Sequence, residues 1–208
     1  MTSHIIVLPG GGYSRHAPHE GEPVVEWLGS LGHAASTFLY PVGVRHPQTL
    51  DAVTAEIRRV RATGVDRIGL LGFSAGGHAA GLAALTSTER VDAAILCYPV
   101  VSMLLDTHAG SREQLVGLDA TPELRASTSL ETLVTASAPP FFVWHTAEDA
   151  SVPVEHSYLL GSALAAHGVP HSLHVFPRGR HGIGLAEDSG AASAWTALAG
   201  MWLAELDW

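Results

Sequence analysis

Arg67-Ile68-Gly69-Leu70-Leu71-Gly72-Phe73-Ser74-Ala75-Gly76 carries an apolar run into a G-x-S-x-G pentapeptide, and Gly77-His78-Ala79-Ala80-Gly81-Leu82-Ala83-Ala84-Leu85 follows without a break. Together they read as a strand, a sharp turn and a helix, the context in which a serine hydroxyl stands exposed at a nucleophile elbow. Gly72 and Gly76 allow backbone segments to approach where a Cβ would collide. The same letters also fit an ordinary glycine-rich turn. Catalysis therefore requires a base, an acid and an oxyanion site elsewhere in the chain.

Outward from this stretch the hydrophobic period keeps switching. Residues 4–8, 34–39, 93–97, 140–144 and 172–176 are short apolar runs of strand length, and the spans 22–31, 49–61, 153–167 and 191–206 read as helices. In 49–61, for example, Leu50, Val53, Ile57 and Val60 form one stripe and leave Arg58, Arg59 and Arg61 largely outside it. Strands alternating with helices imply βαβ units, hence a mostly parallel sheet with helices on both faces. Such sheets collect their chemistry at the C-terminal strand ends. Residues 99–137 break the pattern and read as an excursion of short helices over the active-site end. No repeat or low-complexity linker divides the chain, so 1–208 is expected to be a single domain with one sizeable core.

Bulk properties exclude several classes of function. A formal charge of −9 disfavours a nucleic-acid partner, which selects a basic face. With 47% hydrophobic and 15% charged residues the chain suits a compact globule. One cysteine, Cys97, rules out an internal disulfide framework, and its apolar surroundings predict a buried thiol. No basic segment followed by a long apolar one opens the chain, and no window is long and apolar enough to span a bilayer. A cytoplasmic protein without a membrane segment is the expectation.

The partners for Ser74 lie downstream. Asp149 sits past the 140–144 run, with Glu148 beside it as a competitor, and His181 lies on a glycine-flanked loop past the last run. Each has an ordinary alternative: a solvated or helix-capping acid, and one of 13 histidines. The chain order Ser74, Asp149, His181 is nevertheless the Ser–acid–His order of α/β-hydrolases. Pro9-Gly10-Gly11-Gly12-Tyr13 follows the first run, where an oxyanion loop belongs, and the amides of Gly11 and Ala75, with Gly12 as a third donor, are the expected oxyanion hole. The turn matches neither G-x-x-x-x-G-K-[ST] nor G-x-G-x-x-G, so it is not read as a phosphate cradle. Tyr13 and His78 are candidates for lining the acyl pocket, a role that competes with ordinary packing. His16, His19 and Glu20, and His167, His171 and His174, are the histidine-rich groupings, but neither makes H-E-x-x-H or a dense Cys/His cluster, and no metal is expected.

These blocks resemble a known family. The glycine turn with His19-Glu20-Gly21-Glu22-Pro23, the pentapeptide with Gly77-His78, Cys97-Tyr98-Pro99-Val100, Trp144 through Asp149, and Val175-Phe176-Pro177 with His181-Gly182 are similar to the bacterial acetyl-xylan-esterase-like branch of the α/β-hydrolases. The resemblance covers nearly the whole chain. It implies a serine esterase for short acyl groups, often acetyl esters of sugars, with no cofactor. It also supports Ser74 as nucleophile, Asp149 rather than Glu148 as acid, and His181 as base. Two departures stand out. Pro9 replaces the histidine of the H-G-G-G form, and the chain starts at what would be the family's third strand. The implied fold is a truncated α/β-hydrolase sheet of about six strands. One of its edges would be exposed or covered by a partner chain, which makes a homodimer an expectation.

The leading functional expectation is hydrolysis of a small-molecule ester through an acyl-enzyme. The alternatives are an amidase, aryl-formamidase or small peptidase on the same fold, and a non-catalytic binding member. The triad does not separate the first two, because specificity lies in the pocket.

Overall fold

A computed structural model describes residues 1–208. The apolar runs become six strands, the four central ones covered on both faces and the two edge strands half-buried: β1 (Ser3–Leu8), β2 (Ala35–Thr37), β3 (Arg67–Phe73), β4 (Ala93–Cys97), β5 (Phe141–Thr146) and β6 (His171–Phe176). They form one wholly parallel sheet in the order β2-β1-β3-β4-β5-β6. Successive side chains alternate between two cores. Ile6, Leu8, Ile68, Leu70, Leu96 and Val143 enter one, with helices α2 (Gln48–Arg61), α3 (Ala75–Thr86) and α6 (Glu155–Ala166). Ile5, Val7, Leu71, Phe73, Ile95 and Trp144 enter the other, with α1 (Glu22–Ser30) and α7 (Trp195–Glu205). This is why the central strands read as continuous apolar runs. Burial of each large side chain contributes about 1.5–3 kcal/mol. The Trp144–Trp195 pair, stacked at 5.2 Å, joins α7 to β5 and adds about 1 kcal/mol.

The register brings the strand ends level. Leu8 pairs with Gly72, Phe73 with Cys97, Cys97 with Trp144, and Thr146 with Phe176. The chain leaves β1 outward to β2 and returns on its other side as β3, so the direction of winding reverses between β1 and β3. A crevice opens at such a switch point, at the C-terminal ends of the strands.

Three boundaries differ from the sequence reading. β2 is only three residues long, because as an edge strand it pairs solely with β1 between Ala35 and Thr37. β3 runs on to Phe73 and α3 starts at Ala75, leaving Ser74 alone to make the turn. The last helix begins at Trp195, after a 3₁₀ turn over Gly190–Ala194. The 99–137 stretch holds the short helices α4 (Ala109–Val116) and α5 (Pro122–Ala126) and a 3₁₀ turn at Leu130–Thr132. Buried His156 of α6 fastens it: Nδ1 accepts the amide of Val101 at 2.8 Å, and Nε2 donates to the Asp106 carbonyl at 2.8 Å. No helix is long and apolar enough to cross a membrane.

Candidate active site

Ser74 has φ 52° and ψ −118°, a conformation that costs an L-residue on the order of 1–3 kcal/mol. Its surroundings over-determine it. The Ser74 amide donates to the Cys97 carbonyl at 3.0 Å, and the Ser74 carbonyl accepts from His78 at 3.0 Å and Val100 at 3.2 Å. The flanking glycines are required by contact. A Cβ on Gly72 would lie 2.2 Å from the Gly76 carbonyl oxygen, and one on Gly76 would lie 2.2 Å from that of Leu8.

The loops after β5 and β6 bring the two other predicted residues to this turn. His181 Nε2 lies 2.8 Å from Ser74 Oγ, and His181 Nδ1 lies 2.6 Å from Asp149 Oδ2. A carboxylate only accepts, so Nδ1 carries the proton and Nε2 faces the serine hydroxyl as acceptor. Burial would raise the Asp149 carboxyl, but hydrogen bonds from His145, His181 and the Val152 amide outweigh it and hold the group well below the usual carboxylate range. Glu148 points away, exposed, toward the Gly179 amide at 3.4 Å. Geometry thus separates the two adjacent acids.

The glycine turn after β1 forms the opposite wall. Gly11 (φ 132°) and Gly12 (φ 66°) adopt backbone conformations that favour glycine, and a Cβ on Gly11 would strike the Arg15 carbonyl at 2.2 Å. The amides of Gly11, Gly12 and Ala75 donate to no protein acceptor; Gly11 and Gly12 line the cleft, and Ala75 opens α3. Donors left free at a helix N-terminus and a glycine turn suit an anionic oxygen. The cleft measures about 380 Å³ and is walled by polar groups, among them Arg15, His19, Glu20, His108 and Ser151.

Tyr13 and His78 do not reach this cleft, which corrects their assignment to the acyl pocket. Both are buried and bonded to each other, with Tyr13 Oη 2.6 Å from His78 Nδ1 and His78 Nε2 donating to the Thr128 carbonyl at 2.7 Å. They tie the glycine turn to α3 and to the excursion. The groupings weighed for metal are used otherwise: His19 donates to the Gly182 carbonyl, His171 and His167 lie against local carbonyls, and no group of three His, Cys, Asp or Glu side chains gathers as a ligand set. Cys97 is buried, and burial raises its thiol pKa.

Three residues escaped the sequence reading of the site. Glu20 is a buried carboxylate that accepts the Gly10 amide at 2.8 Å and the Tyr98 hydroxyl at 2.6 Å. Tyr98 packs its ring 5.1 Å from that of His181, and His145 bonds to Asp149 from behind. The one local signal was His145, a polar residue that follows the apolar run Phe141–Trp144 within β5.

Comparison with known proteins gives consistent matches. Residues 44–205 match the model of the prolyl oligopeptidase family, a span that begins after the glycine turn. An endo-1,4-β-xylanase B from Butyrivibrio fibrisolvens is 35% identical over 88% of this chain and 33% of its own length. An acetylxylan esterase from Xylanibacter ruminicola is 31% identical over 86% of this chain and 41% of its own. The chain therefore spans less than half of either protein. Among solved structures, an acetyl ester-xyloside bifunctional hydrolase from Caldicellulosiruptor lactoaceticus superposes with a TM-score of 0.95 at 42% identity, covering all of this chain and 84% of that one. A carboxylesterase from Lactobacillus plantarum gives 0.85 at 30% identity, covering 99% and 86%.

Proposed function

The chain belongs to the prolyl oligopeptidase family of α/β-hydrolases, and on that premise we propose that it is a serine hydrolase of short-chain carboxylic esters, with acetyl esters of sugars as the substrate class. The observation that carries the reading is the unbroken line from Ser74 Oγ through His181 to Asp149. In it, His181 Nε2 takes the Ser74 proton as Oγ attacks the acyl carbonyl. The amides of Gly11, Gly12 and Ala75 receive the developing oxyanion. His181 then protonates the leaving alcohol and activates water for deacylation, while Asp149 keeps the imidazole in its working tautomer.

Two features support the substrate class. A cleft of about 380 Å³ suits a small acyl group, and polar walls suit a hydroxyl-rich leaving group. The names of the similar proteins point to xylan and its acetyl esters. Hydrolysis of p-nitrophenyl esters of increasing acyl length, for wild type beside Ser74→Ala, tests the proposal. Activity confined to short chains and absent from the variant is expected. A Ser74→Ala protein with near wild-type turnover would remove Ser74 from the mechanism.

The family's description as oligopeptidases favours a second reading, cleavage of amide bonds by the same residues. Matched ester and amide substrates separate the two, and a higher kcat/KM on the amide would replace the first reading with the second.

A further inference from the structure

Asp149 serves more than one histidine. Its Oδ1 accepts the amides of Ser151 at 2.8 Å and Val152 at 2.9 Å, while its Oδ2 lies 2.6 Å from His181 Nδ1 and 3.1 Å from His145 Nε2. His145 is the fifth residue of β5 and is fully buried. Its Nε2 is also 3.1 Å from the Val152 carbonyl oxygen. Both of these oxygens only accept, so Nε2 carries a proton and directs it between them. Nδ1 lies 2.8 Å from Ser157 Oγ at the start of α6, which satisfies the other ring nitrogen.

We propose that His145 is a positioning residue of the triad: its Nε2–H fixes the plane of the Asp149 carboxylate and shares Oδ2 with His181, so that His145 sets how strongly Asp149 holds the base. The inference rests on the serine-hydrolase reading above. A donor on Oδ2 from outside the cleft restrains the carboxylate in a way that the two amides on Oδ1 do not. The sharing also has a sign. An oxygen that already accepts from His145 offers less charge to His181, so withdrawing the His145 proton strengthens the hold of Asp149 on a protonated His181. The other groups facing His181 stay constant: Tyr98 against its ring, His108 from the excursion, Arg15, His19 and Glu20 on the cleft wall, and neighbouring Arg180, which donates to the His181 carbonyl. A merely structural His145, tying β5 to α6, would affect folding and leave the base untouched.

The test compares His145→Asn with His145→Gln. Asparagine keeps an amide near the Nδ1 position for Ser157 but withdraws the donor from Asp149, whereas glutamine reaches the Nε2 position and restores it. On a short-chain p-nitrophenyl ester, His145→Asn is expected to lose roughly tenfold in kcat at near-constant KM and to move the acid limb of kcat/KM up by about half a pH unit. His145→Gln is expected to recover most of both. An asparagine variant with wild-type rate and limb, or a glutamine variant no better than asparagine, overturns the proposal. If His145→Asn does not fold, Ser157→Ala replaces it; freeing the ring should give a smaller shift in the same direction, and an unmoved limb overturns the proposal again. Fluorophosphonate labelling of Ser74 accompanies each measurement. A wild type that does not label removes the serine-hydrolase reading itself, whereas variants that label but keep the wild-type limb remove only the role of His145.

Discussion

The phenol oxygen of Tyr98 lies 2.6 Å from Oε1 of Glu20, and the other oxygen of that buried carboxylate accepts the Gly10 amide at 2.8 Å. Tyr98 also accepts the Gly184 amide at 2.8 Å and packs against His181. One buried acid therefore joins the glycine turn, the end of β4 and the loop that carries His181. Hydrogen bonds to an ionised oxygen are stronger than neutral ones and offset the cost of burying the charge.

Glu20→Ala leaves the Gly10 amide and the Tyr98 hydroxyl without their partner, a loss of about 3 kcal/mol or more, with kcat reduced more than KM is raised. Glu20→Gln still offers an acceptor to Gly10 and should lose less of both. Urea unfolding and steady-state kinetics on the two variants provide the comparison, and equal losses would show that the acceptor oxygen is not what matters.

Gly76→Ala places a methyl where the Leu8 and Pro9 carbonyl oxygens already stand, at 2.2 and 2.4 Å. Backbone must move, and the variant should lose about 3 kcal/mol or fail to fold. Gly29→Ala is the control. It lies in α1, where an added methyl would meet nothing within 4 Å, and should gain about 0.5–1 kcal/mol from helix propensity. Thermal melts of the pair measure both signs.

Ser74→Gly should be more stable than Ser74→Ala, because glycine relaxes at φ 52° and ψ −118° whereas alanine inherits the strain. A difference of about 1 kcal/mol is expected once the greater chain entropy of glycine is set against the relief. Both variants should be inactive. Equal denaturation midpoints would mean that the elbow stores no strain.

His78 carries a pH dependence of stability. Burial lowers its pKa from 6.5 to about 4, with the Thr128 carbonyl opposing that shift. The unfolded chain thus binds a proton at higher pH than the folded one does. The contribution is full above the unfolded value and is lost as pH falls toward the folded one, about 3 kcal/mol in all. Urea midpoints measured between pH 7 and 4 should fall less steeply in His78→Gln than in wild type.

Asp149→Asn should lower kcat by about 10³–10⁴, since an amide serves His181 in the wrong tautomer. The Asp149 carboxyl is held well below the usual range, so it stays ionised above pH 4, and its contribution to stability is lost only as pH falls through that depressed value. Acidification to about pH 5 should therefore leave Asp149 ionised and its hydrogen bonds intact, as an unchanged far-UV circular dichroism spectrum and full recovery of activity on return to neutral pH would show.

The layered architecture was legible in the chain because the four central strands are buried on both faces and so appear as apolar runs, with Gly72-Phe73-Ser74-Ala75-Gly76 following one of them. The start of the last helix was not legible, since alanine-rich sequence suits a 3₁₀ turn as well as an α-helix, and the stacking of Trp195 on Trp144 marks where α7 begins. Ser74, Asp149 and His181 could be named in order, because each follows a strand and strand ends converge. Their distances could not.

What the amino-acid order determined by itself was the alternation of strands and helices, the turn at Ser74 and the order of Ser74, Asp149 and His181 after their strands, all of which depend on spacing along the chain. Tertiary structure alone decided that Tyr13 and His78 turn into the core, that Glu20 bonds to Gly10 and Tyr98, and that His145 bonds to Asp149. Those outcomes depend on hydrogen bonds between residues far apart in sequence, or on the direction in which one side chain leaves a strand end or loop. Neither leaves a periodic trace in the chain.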